Sequence, residues 1–202
     1  MPLRAACVGE ALPAIAIKVT LRMALAYAAG IGAEWALDDT APDFAALPFF
    51  CVALEWQLVI AARNRALGLS PPEALRSVHA GQSSRFFRPI RPTEPVHVSG
   101  RIDILNPIHT EREVAIAAGL PDTIVQGTAL WALAGRRLLE FYAPGEPQKL
   151  QYFSGRFAAM VPAGMPVVLR HGISATTGDV VFSLRDHCGK PAIADGHAAF
   201  SS

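Results

Sequence analysis

The sequence contains few cysteines, and they show no pairing pattern. Cys7, Cys51 and Cys188 are the three among 202 residues, and no CxxC spacing is present. An odd number of cysteines without that spacing argues against a disulfide framework and against a zinc site. A reducing compartment fits this usage, and we expect a cytoplasmic protein.

The sequence also lacks an excess of charge of either sign. Lysine and arginine number 18, aspartate and glutamate 17, and the formal net charge is +1. These charges are spread along the chain, so there is no basic stripe for nucleic acid and no acidic tail. We therefore expect a small molecule or a protein as partner, and no nucleic acid.

No uninterrupted hydrophobic run is long enough to cross a membrane. The most apolar window, residues 51–62, carries Glu55 and Gln57 and is too short for a bilayer. Glu10 and Pro13 interrupt the apolar residues near the amino terminus, which argues against a signal peptide. The hydrophobic fraction of 51% is still enough for a substantial core. We expect a protein that folds in water and does not bind membranes.

Capping signals predict two short helices. Thr20 can cap a helix for which Gly30 would supply a left-handed stop. The second helix should begin at Thr110, where Glu113 occupies the reciprocal capping-box position, and end at Gly119.

A third helix is predicted at Gly127–Tyr142, "GTALWALAGRRLLEFY". Its first half is apolar on all sides, so we expect a sheet to wrap around it. The three tryptophans, Trp35, Trp56 and Trp131, are expected in the core. Strands are predicted at 96–105, 150–159, 166–174, 179–184 and 192–200, with "RDHCGKP" as the turn before the last strand.

Two segments resemble one another without gaps. "SRFFRPIRPTEPVHV" (84–98) aligns with "GRFAAMVPAGMPVVL" (155–169), which pairs Arg85 with Arg156 and Ile90 with Val161. "AAGI" and "AAGL" end the two short helices. Two copies of one helix-then-strands unit explain this match, and a chance similarity is the alternative.

A family resemblance follows from these stretches. "NPIH" (106–109), a capped helix ending in "AGL", "IVQGTALWALAGRRL" and "GRFAAMVPAGMPV" resemble the MaoC-like dehydratases and hydratase 2 (R-specific enoyl-CoA hydratase) enzymes. The resemblance implies an α+β hotdog fold, in which an antiparallel sheet wraps around a central helix. It implies a compact double hotdog with a shortened first repeat, residues 1–105, and a second repeat, residues 106–202, that holds the site.

The resemblance also implies a reaction. Water would add to a 2-enoyl thioester, or leave a 3-hydroxyacyl thioester, that coenzyme A or an acyl carrier protein carries. No metal or redox cofactor is implied, and a homodimer is expected. In the family a His and an Asp hold the water and an Asn orients them, and here His109 and Asn106 match the His and the Asn. The Gly127 amide would polarise the thioester carbonyl.

Further positions complete the predicted site or depart from the family pattern. Gln126 and Thr128, beside the helix start, and Arg156, through a phosphate of coenzyme A, are candidates for binding substrate. Ile104 stands where the family has its catalytic Asp, and Asp103 lies one residue away. Strand alternation points Asp103 to the opposite face from Ile104, so it could replace the acid only if the strand bulges or ends.

Physical chemistry gives each central residue two interpretations. His109 would precede a helix, whose positive end keeps the imidazole neutral and suited to act as a base, or it would only bond backbone at a loop end. Gly127 would open a helix whose first amides lack internal partners, or it would only permit close packing. Asn106, extended before Pro107, is alternatively a turn residue.

Three functions therefore remain open. The first is an acyl-thioester hydratase or dehydratase. The second is a non-catalytic acyl-thioester-binding or degenerate hotdog subunit, which Ile104 favours. A thioesterase is the weakest, because it would need a carboxylate facing the thioester on the central helix, and Glu140 lies too far along that helix.

Overall fold

The computed structural model describes residues 11–38, 40, 44–64, 80–92, 94–101, 112–117, 119–120 and 123–201. The helices are α1 (Leu21–Gly30), α2 (Cys51–Asn64), α3 (Arg112–Ala117) and α4 (Gly127–Tyr142), with 3-10 turns at Glu34–Ala36, Pro48–Phe50 and Pro147–Lys149. The strands are β1 (Ala11–Lys18), β2 (Gly81–Arg85), β3 (Pro95–Arg101), β4 (Leu150–Phe157), β5 (Val168–Ile173), β6 (Val180–Arg185) and β7 (Pro191–Phe200).

The larger sheet surrounds the longest helix. Five antiparallel strands lie in the order β2-β4-β7-β6-β5, and α4 packs on their inner face. Trp131 is fully buried at the centre, with its ring centroid 4.7 Å from that of Phe153. This arrangement confirms the predicted α+β hotdog fold, and the apolar first half of α4 is buried as its composition requires.

A second layer forms around α2. β1 and β3 make a two-stranded antiparallel sheet, and Leu54 and Leu58 of α2 are buried among apolar side chains that include Val98 of β3. A Cβ built on Gly100 would lie 3.1 Å from Cδ1 of Leu58, so the helix approaches the strand closely. The two layers meet where Phe49, just before α2, packs against Trp131, with ring centroids 5.3 Å apart.

The first short helix begins as predicted and ends later than predicted. The Thr20 side chain accepts a hydrogen bond from the amide of Met23. The left-handed stop at Gly30 was wrong, because Gly30 is helical and Gly32 has the positive φ of 68°. The amides of Gly32 and Ala33 donate to Ala29 and Ala28, the pair of bonds that closes a helix in a Schellman motif.

The strand predictions hold in the second half of the chain. All four strands predicted after residue 149 are present, with their ends moved by at most two residues. The turn before β7 is built on Asp186, whose carboxylate accepts from the amides of Cys188 and Lys190. β3 follows the predicted alternation up to Arg101, and residues 102–105 lie outside the described part of the chain. α3 ends at Ala117, two residues before the predicted end at Gly119, which has a positive φ of 84°.

The tryptophan prediction was correct for Trp131 and wrong for Trp35. Trp35 is 37% exposed, and its indole Nε1 donates to the Glu140 carboxylate at 3.2 Å. Trp56 is half-buried. Within the residues described here, no helix combines the length and the hydropathy that a bilayer crossing would need.

A local two-fold relation joins the two halves of the chain. The gapless alignment places Ser84 with Gly155, and the same spacing makes Ser83 the counterpart of Ser154. In the sheet, β2 pairs with β4 in antiparallel register, and Ser83 lies directly opposite Ser154. When a residue pairs with its own counterpart across two antiparallel strands, a local two-fold axis passes between the two residues. The repeat in the sequence therefore has a counterpart in the geometry.

A second pair of equivalent contacts follows the same relation. The amide of Ala46 donates to the carbonyl of Ile90 at 2.8 Å, and the amide of Val125 donates to the carbonyl of Val161 at 2.8 Å. Ile90 and Val161 are aligned partners in the repeat. Each contact holds the residue that stands two positions before a helical segment, so the two helix beginnings are fixed in the same way.

Candidate functional site

The beginning of α4 leaves backbone donors available. Gln126 is extended, and its carbonyl accepts from the amides of Ala129 and Leu130 at 3.0 and 3.1 Å. Its side chain makes no capping hydrogen bond. The amides of Gly127 and Thr128 precede the first internal helix bond, and no described residue accepts from them. They point out of the positive end of the helix, the geometry that stabilises a carbonyl oxygen gaining negative charge.

Gly127 is also required for packing. A Cβ built at this position would lie 2.7 Å from a ring carbon of Phe157, closer than real side chains approach. The aromatic ring of β4 therefore covers the backbone at the helix start. Both interpretations of Gly127 are compatible with this geometry, because close packing and a free amide do not compete. Thr128 beside it is buried, with 8% of its surface exposed.

The segment before α4 is held in an extended form. Ile124 forms an isolated bridge with Pro162, and Val125 bonds Val161 as described above. The amide of Ala163 donates to the carbonyl of Thr123 at 3.2 Å. These contacts fix the direction from which the chain enters α4, and they fix where the Gly127 amide points.

Arg156 does not share the inner face with Gly127. Along β4 the side chains of Phe153, Gly155 and Phe157 face the helix, so Arg156 lies on the outer face by strand alternation. Its Nε donates to the Asp195 carboxylate at 2.8 Å, and both side chains are largely exposed. Arg156 is thus separated by the sheet from Gly127 and Thr128.

The structure adds a half-buried acid that the sequence patterns did not single out. Glu55 on α2 accepts a hydrogen bond from the side-chain amide of Gln82 on β2 at 3.3 Å. The same amide donates to the hydroxyl of Ser84 at 3.2 Å, and Ser84 lies 3.9 Å from the sulfur of Cys51. Among the described residues, no ion pair involves Glu55. A buried carboxyl without a cation is costly to ionise.

The pKa values of this cluster follow from burial. Burial raises the pKa of Glu55 above its ordinary value, and the hydrogen bond from Gln82 only partly offsets that rise. Burial, together with the charge on Glu55, raises the pKa of the Cys51 thiol to about 12. Burial, followed by the charges on Cys51 and Glu55, raises the pKa of Tyr27, whose hydroxyl donates to the carbonyl of Phe49. Cys51 is therefore an unreactive thiol, and the raised pKa of Glu55 favours its protonated carboxyl.

Glu55 lies on the same side of the sheet as the start of α4. Its partner Gln82 pairs with Gly155, and Phe157, which covers Gly127, stands two positions further along the same inner face. Two strand positions span about 7 Å. The strand position beside Gln82 and the residue that covers Gly127 are therefore neighbours on the inner face of β4. The sequence shows a single acid within the apolar α2, but that pattern does not reveal its partner Gln82, 27 residues away.

The other predicted catalytic residues lie outside the described part of the chain. These are His109 and Asn106, together with Asp103 and Ile104. Convergence of His109 and Gly127 on one pocket stays a prediction, and so does the direction of Asp103.

The first half of the chain cannot repeat the amide at Gly127. Ala46 occupies the place of Val125, so the residue equivalent to Gly127 is Pro48, which opens the helical segment that leads into α2. Proline has no N–H to donate. Of the two equivalent helix beginnings, the one at Gly127 is equipped to bind an oxyanion.

Comparison with known proteins agrees with this architecture. Residues 97–178 match the family model of the MaoC like domain. No curated protein matches the chain in sequence. A MaoC-like dehydratase from Phytophthora capsici superimposes with a TM-score of 0.77 at 15% identity, over 100% of this chain and 98% of that chain. HtdX from Mycobacterium tuberculosis gives a TM-score of 0.67 at 16% identity, over 94% of this chain and 100% of its own.

A longer protein contains the same fold. The peroxisomal multifunctional enzyme type 2 from Drosophila melanogaster superimposes with a TM-score of 0.72 at 16% identity. The match covers 95% of this chain and 48% of that enzyme, so this chain corresponds to about half of it. The chain therefore has the hotdog fold seen in the MaoC-like dehydratases, and residues 97–178 match the model of the MaoC like domain.

Proposed function

We propose that the protein is a hydratase or dehydratase of acyl thioesters, acting on 2-enoyl and 3-hydroxyacyl groups at the start of α4. The observation that carries the proposal is the pair of free amides at Gly127 and Thr128, fixed over the ring of Phe157 within a MaoC-like domain. A thioester carbonyl placed there would have its developing negative charge stabilised. Each such donor typically lowers the activation barrier by about 3 kcal/mol.

The proposed chemistry assigns a role to each group. His109, by resemblance, takes a proton from water, and the resulting hydroxide adds to the β-carbon of the enoyl group. Electron density moves to the thioester oxygen, which the Gly127 amide holds. A proton delivered to the α-carbon then restores the carbonyl. In the reverse direction the same groups remove water from the 3-hydroxyacyl thioester.

Glu55 is our candidate for the acid that Ile104 no longer supplies. Its raised pKa favours the protonated form relative to an ordinary glutamate, which suits a group that delivers a proton. Its hydrogen bond with Gln82 fixes the carboxyl on the inner side of the sheet. Asp103 is the competing candidate from the sequence.

We also propose that the chain is a compact double hotdog, with repeats at residues 1–105 and 106–202. The two-fold relation at Ser83 and Ser154 and the matching contacts of Ala46 and Val125 support this division. Pro48 supports the assignment of one site to the second repeat. Coenzyme A or an acyl carrier protein would carry the substrate.

The alternative function is a subunit that binds acyl thioesters without turning them over. Ile104 in place of the family's acid favours it. The two functions differ in a simple measurement, because a binding subunit would hold an enoyl thioester without consuming it.

The test is loss of enoyl absorbance with crotonyl-CoA and longer 2-enoyl-CoAs. We expect turnover by the wild-type protein and a fall of about 10²- to 10⁴-fold in His109→Ala and in Glu55→Gln. Glu34→Gln, a matched change at an exposed glutamate, should leave turnover unchanged. Absence of turnover with every chain length, together with measurable binding, would favour the alternative. Turnover that survives Glu55→Gln would favour Asp103 as the catalytic acid.

A further inference from the structure

A groove lies along the second half of α4, away from the site proposed above. It has a volume of about 630 Å³, within the range of ligand pockets, and runs between the helix and strands β5 and β6. Ten residues line it: Leu133, Ala134, Arg136, Arg137, Glu140, Phe141, Val167, Leu169, His171 and Leu184. Leu133 stands six residues after Gly127, about 9 Å along the helix axis, and Glu140 about 20 Å along it.

One part of the groove is apolar. Six of its lining side chains carry no polar group, and Leu184 is almost fully buried at its base. Phe141 on its rim is 68% exposed, and its ring lies edge-on to those of Tyr142 and His171. An exposed aromatic ring beside a concave apolar surface is typical of a binding site.

The other part carries an excess of positive charge. The carboxylate of Glu140 accepts from Arg136 and from Arg137 at 2.9 Å each, and from the indole of Trp35. Burial alone would raise the pKa of Glu140, but these hydrogen bonds and the two guanidinium charges lower it. One carboxylate therefore faces two guanidinium groups, which leaves one positive charge uncompensated at the groove.

The two arginines differ in how firmly they are held. Arg136 also donates to the carbonyl of Gly32 at 2.9 Å, and its side chain is mostly buried, with an Nε that has no hydrogen-bond partner among the described residues. The side chain of Arg137 is 62% exposed. The groove thus combines a fixed guanidinium with one that can turn toward a ligand, the geometry that recognises a carboxylate.

We propose that this groove binds an amphiphile with an apolar chain and an anionic head, of which a fatty-acid carboxylate is the simplest. The chain would lie on Leu133, Leu169 and Leu184, and the head would meet Arg137 and Arg136. The charge of the groove selects an anion over a neutral or cationic occupant. The proposal does not depend on the reaction at the start of α4.

The experiment measures binding of decanoate by isothermal titration calorimetry, with decanol as the uncharged counterpart. We expect decanoate to bind at least tenfold more tightly than decanol. Arg137→Glu should weaken decanoate at least tenfold, because it replaces an attraction with a repulsion, and Leu133→Trp should do so by filling the groove. Arg22→Glu, the same change of charge at an exposed position on α1, should leave the affinity unchanged.

Each other outcome overturns the proposal. No binding of decanoate, or equal affinity in all three variants, means that the groove is not the site. Equal binding of decanol and decanoate means that the arginines do not recognise the head. A shift in sedimentation between wild type and Leu133→Trp means that the groove is covered by a second copy of this chain. Circular dichroism of each variant checks that the fold is retained, and Arg137→Glu alters only an exposed side chain if Leu133→Trp does not fold.

Discussion

The half-buried carboxyl of Glu55 on α2 makes the stability of the protein depend on pH. The pKa of Glu55 in the folded protein lies above its ordinary value of 4.5, so folding favours the protonated form. The stability that this group contributes is present below pH 4.5 and is lost as the pH rises through the folded pKa. The physical cause is that the partly buried carboxylate loses contact with water on folding and gains no cation in return among the residues that the structure describes.

The corresponding prediction is that Glu55→Gln stabilises the protein at pH 8 relative to wild type, and that the advantage disappears at pH 4. An uncharged amide keeps the hydrogen-bonding capacity of the site and removes the cost of ionisation. Urea unfolding at both pH values measures the difference. Glu34→Gln, at an exposed glutamate, should show no such dependence, and an equal effect of both variants would contradict the assignment.

Gly127 allows a second prediction, because its backbone touches a ring. Gly127→Ala should cost about 1–3 kcal/mol of unfolding free energy, since the added methyl group overlaps Phe157. It should also lower turnover about 10²-fold by displacing the amide. Chemical denaturation and the crotonyl-CoA assay measure the two effects.

A double variant separates the two roles of Gly127. Gly127→Ala combined with Phe157→Leu should recover part of the stability and part of the turnover, because the smaller side chain leaves room for the methyl group. Losses that simply add in the double variant would show that the ring is not what the methyl group meets.

The sequence located some of these residues and not others. Gly127 could be predicted because a family motif and a helix start coincide there. Glu55 could not, since its importance comes from burial and from Gln82, which lies 27 residues away in the sequence. The face that Arg156 occupies could not be predicted for a similar reason, because it depends on the register of β4 with its neighbours.

At the level of elements, two glycines in helices have opposite roles. Gly135 of α4 packs against the ring of Phe49, and a Cβ there would overlap that ring. Gly30 of α1 has open space around its Cα and an ordinary helical backbone. One glycine is needed for close approach between elements, and the other only weakens its helix.

We therefore predict opposite signs for the same substitution. Gly30→Ala should stabilise the protein by about 0.5–1 kcal/mol through helix propensity. Gly135→Ala should destabilise it by more than 1 kcal/mol, because the core on both sides is already packed. Thermal and urea unfolding provide the comparison, and a stabilised Gly135→Ala would show that Phe49 can move aside.

Elements were predictable to the extent that local rules fix them. α4 has the predicted bounds because an apolar stretch without proline leaves few alternatives, and the strands after it alternate clearly. The end of α1 was not predictable. Whether the helix stops at Gly30 or at Gly32 depends on the burial of Ala33 against Ala28. β2 carries a polar sequence, "GQSSR", and becomes a strand only through pairing with β4.

For the whole molecule, one core extends across both halves. Phe49 packs against Trp131 and Phe153 and belongs to the same buried cluster as residues of β4, β6 and β7. A shared core predicts that the halves unfold together.

Phe49→Ala tests this expectation. The truncation should cost about 3–5 kcal/mol and keep a single unfolding transition. Tryptophan fluorescence and far-ultraviolet circular dichroism should report the same midpoint in urea. Two separated transitions, in the wild type or the variant, would show that each half is stable alone.

The pairing of β2 with β4 within one chain makes the association of the two halves independent of protein concentration. When two separate chains join their sheet edges, dilution pulls them apart, and every substitution is imposed on both sides of the axis. Here both edges belong to one polypeptide, so the local concentration of one strand near the other is set by covalent linkage and does not fall on dilution. Pro48 in one half and Gly127 in the other can then coexist. A single chain can therefore lose the amide at one of the two equivalent helix beginnings and still keep the pairing of β2 with β4.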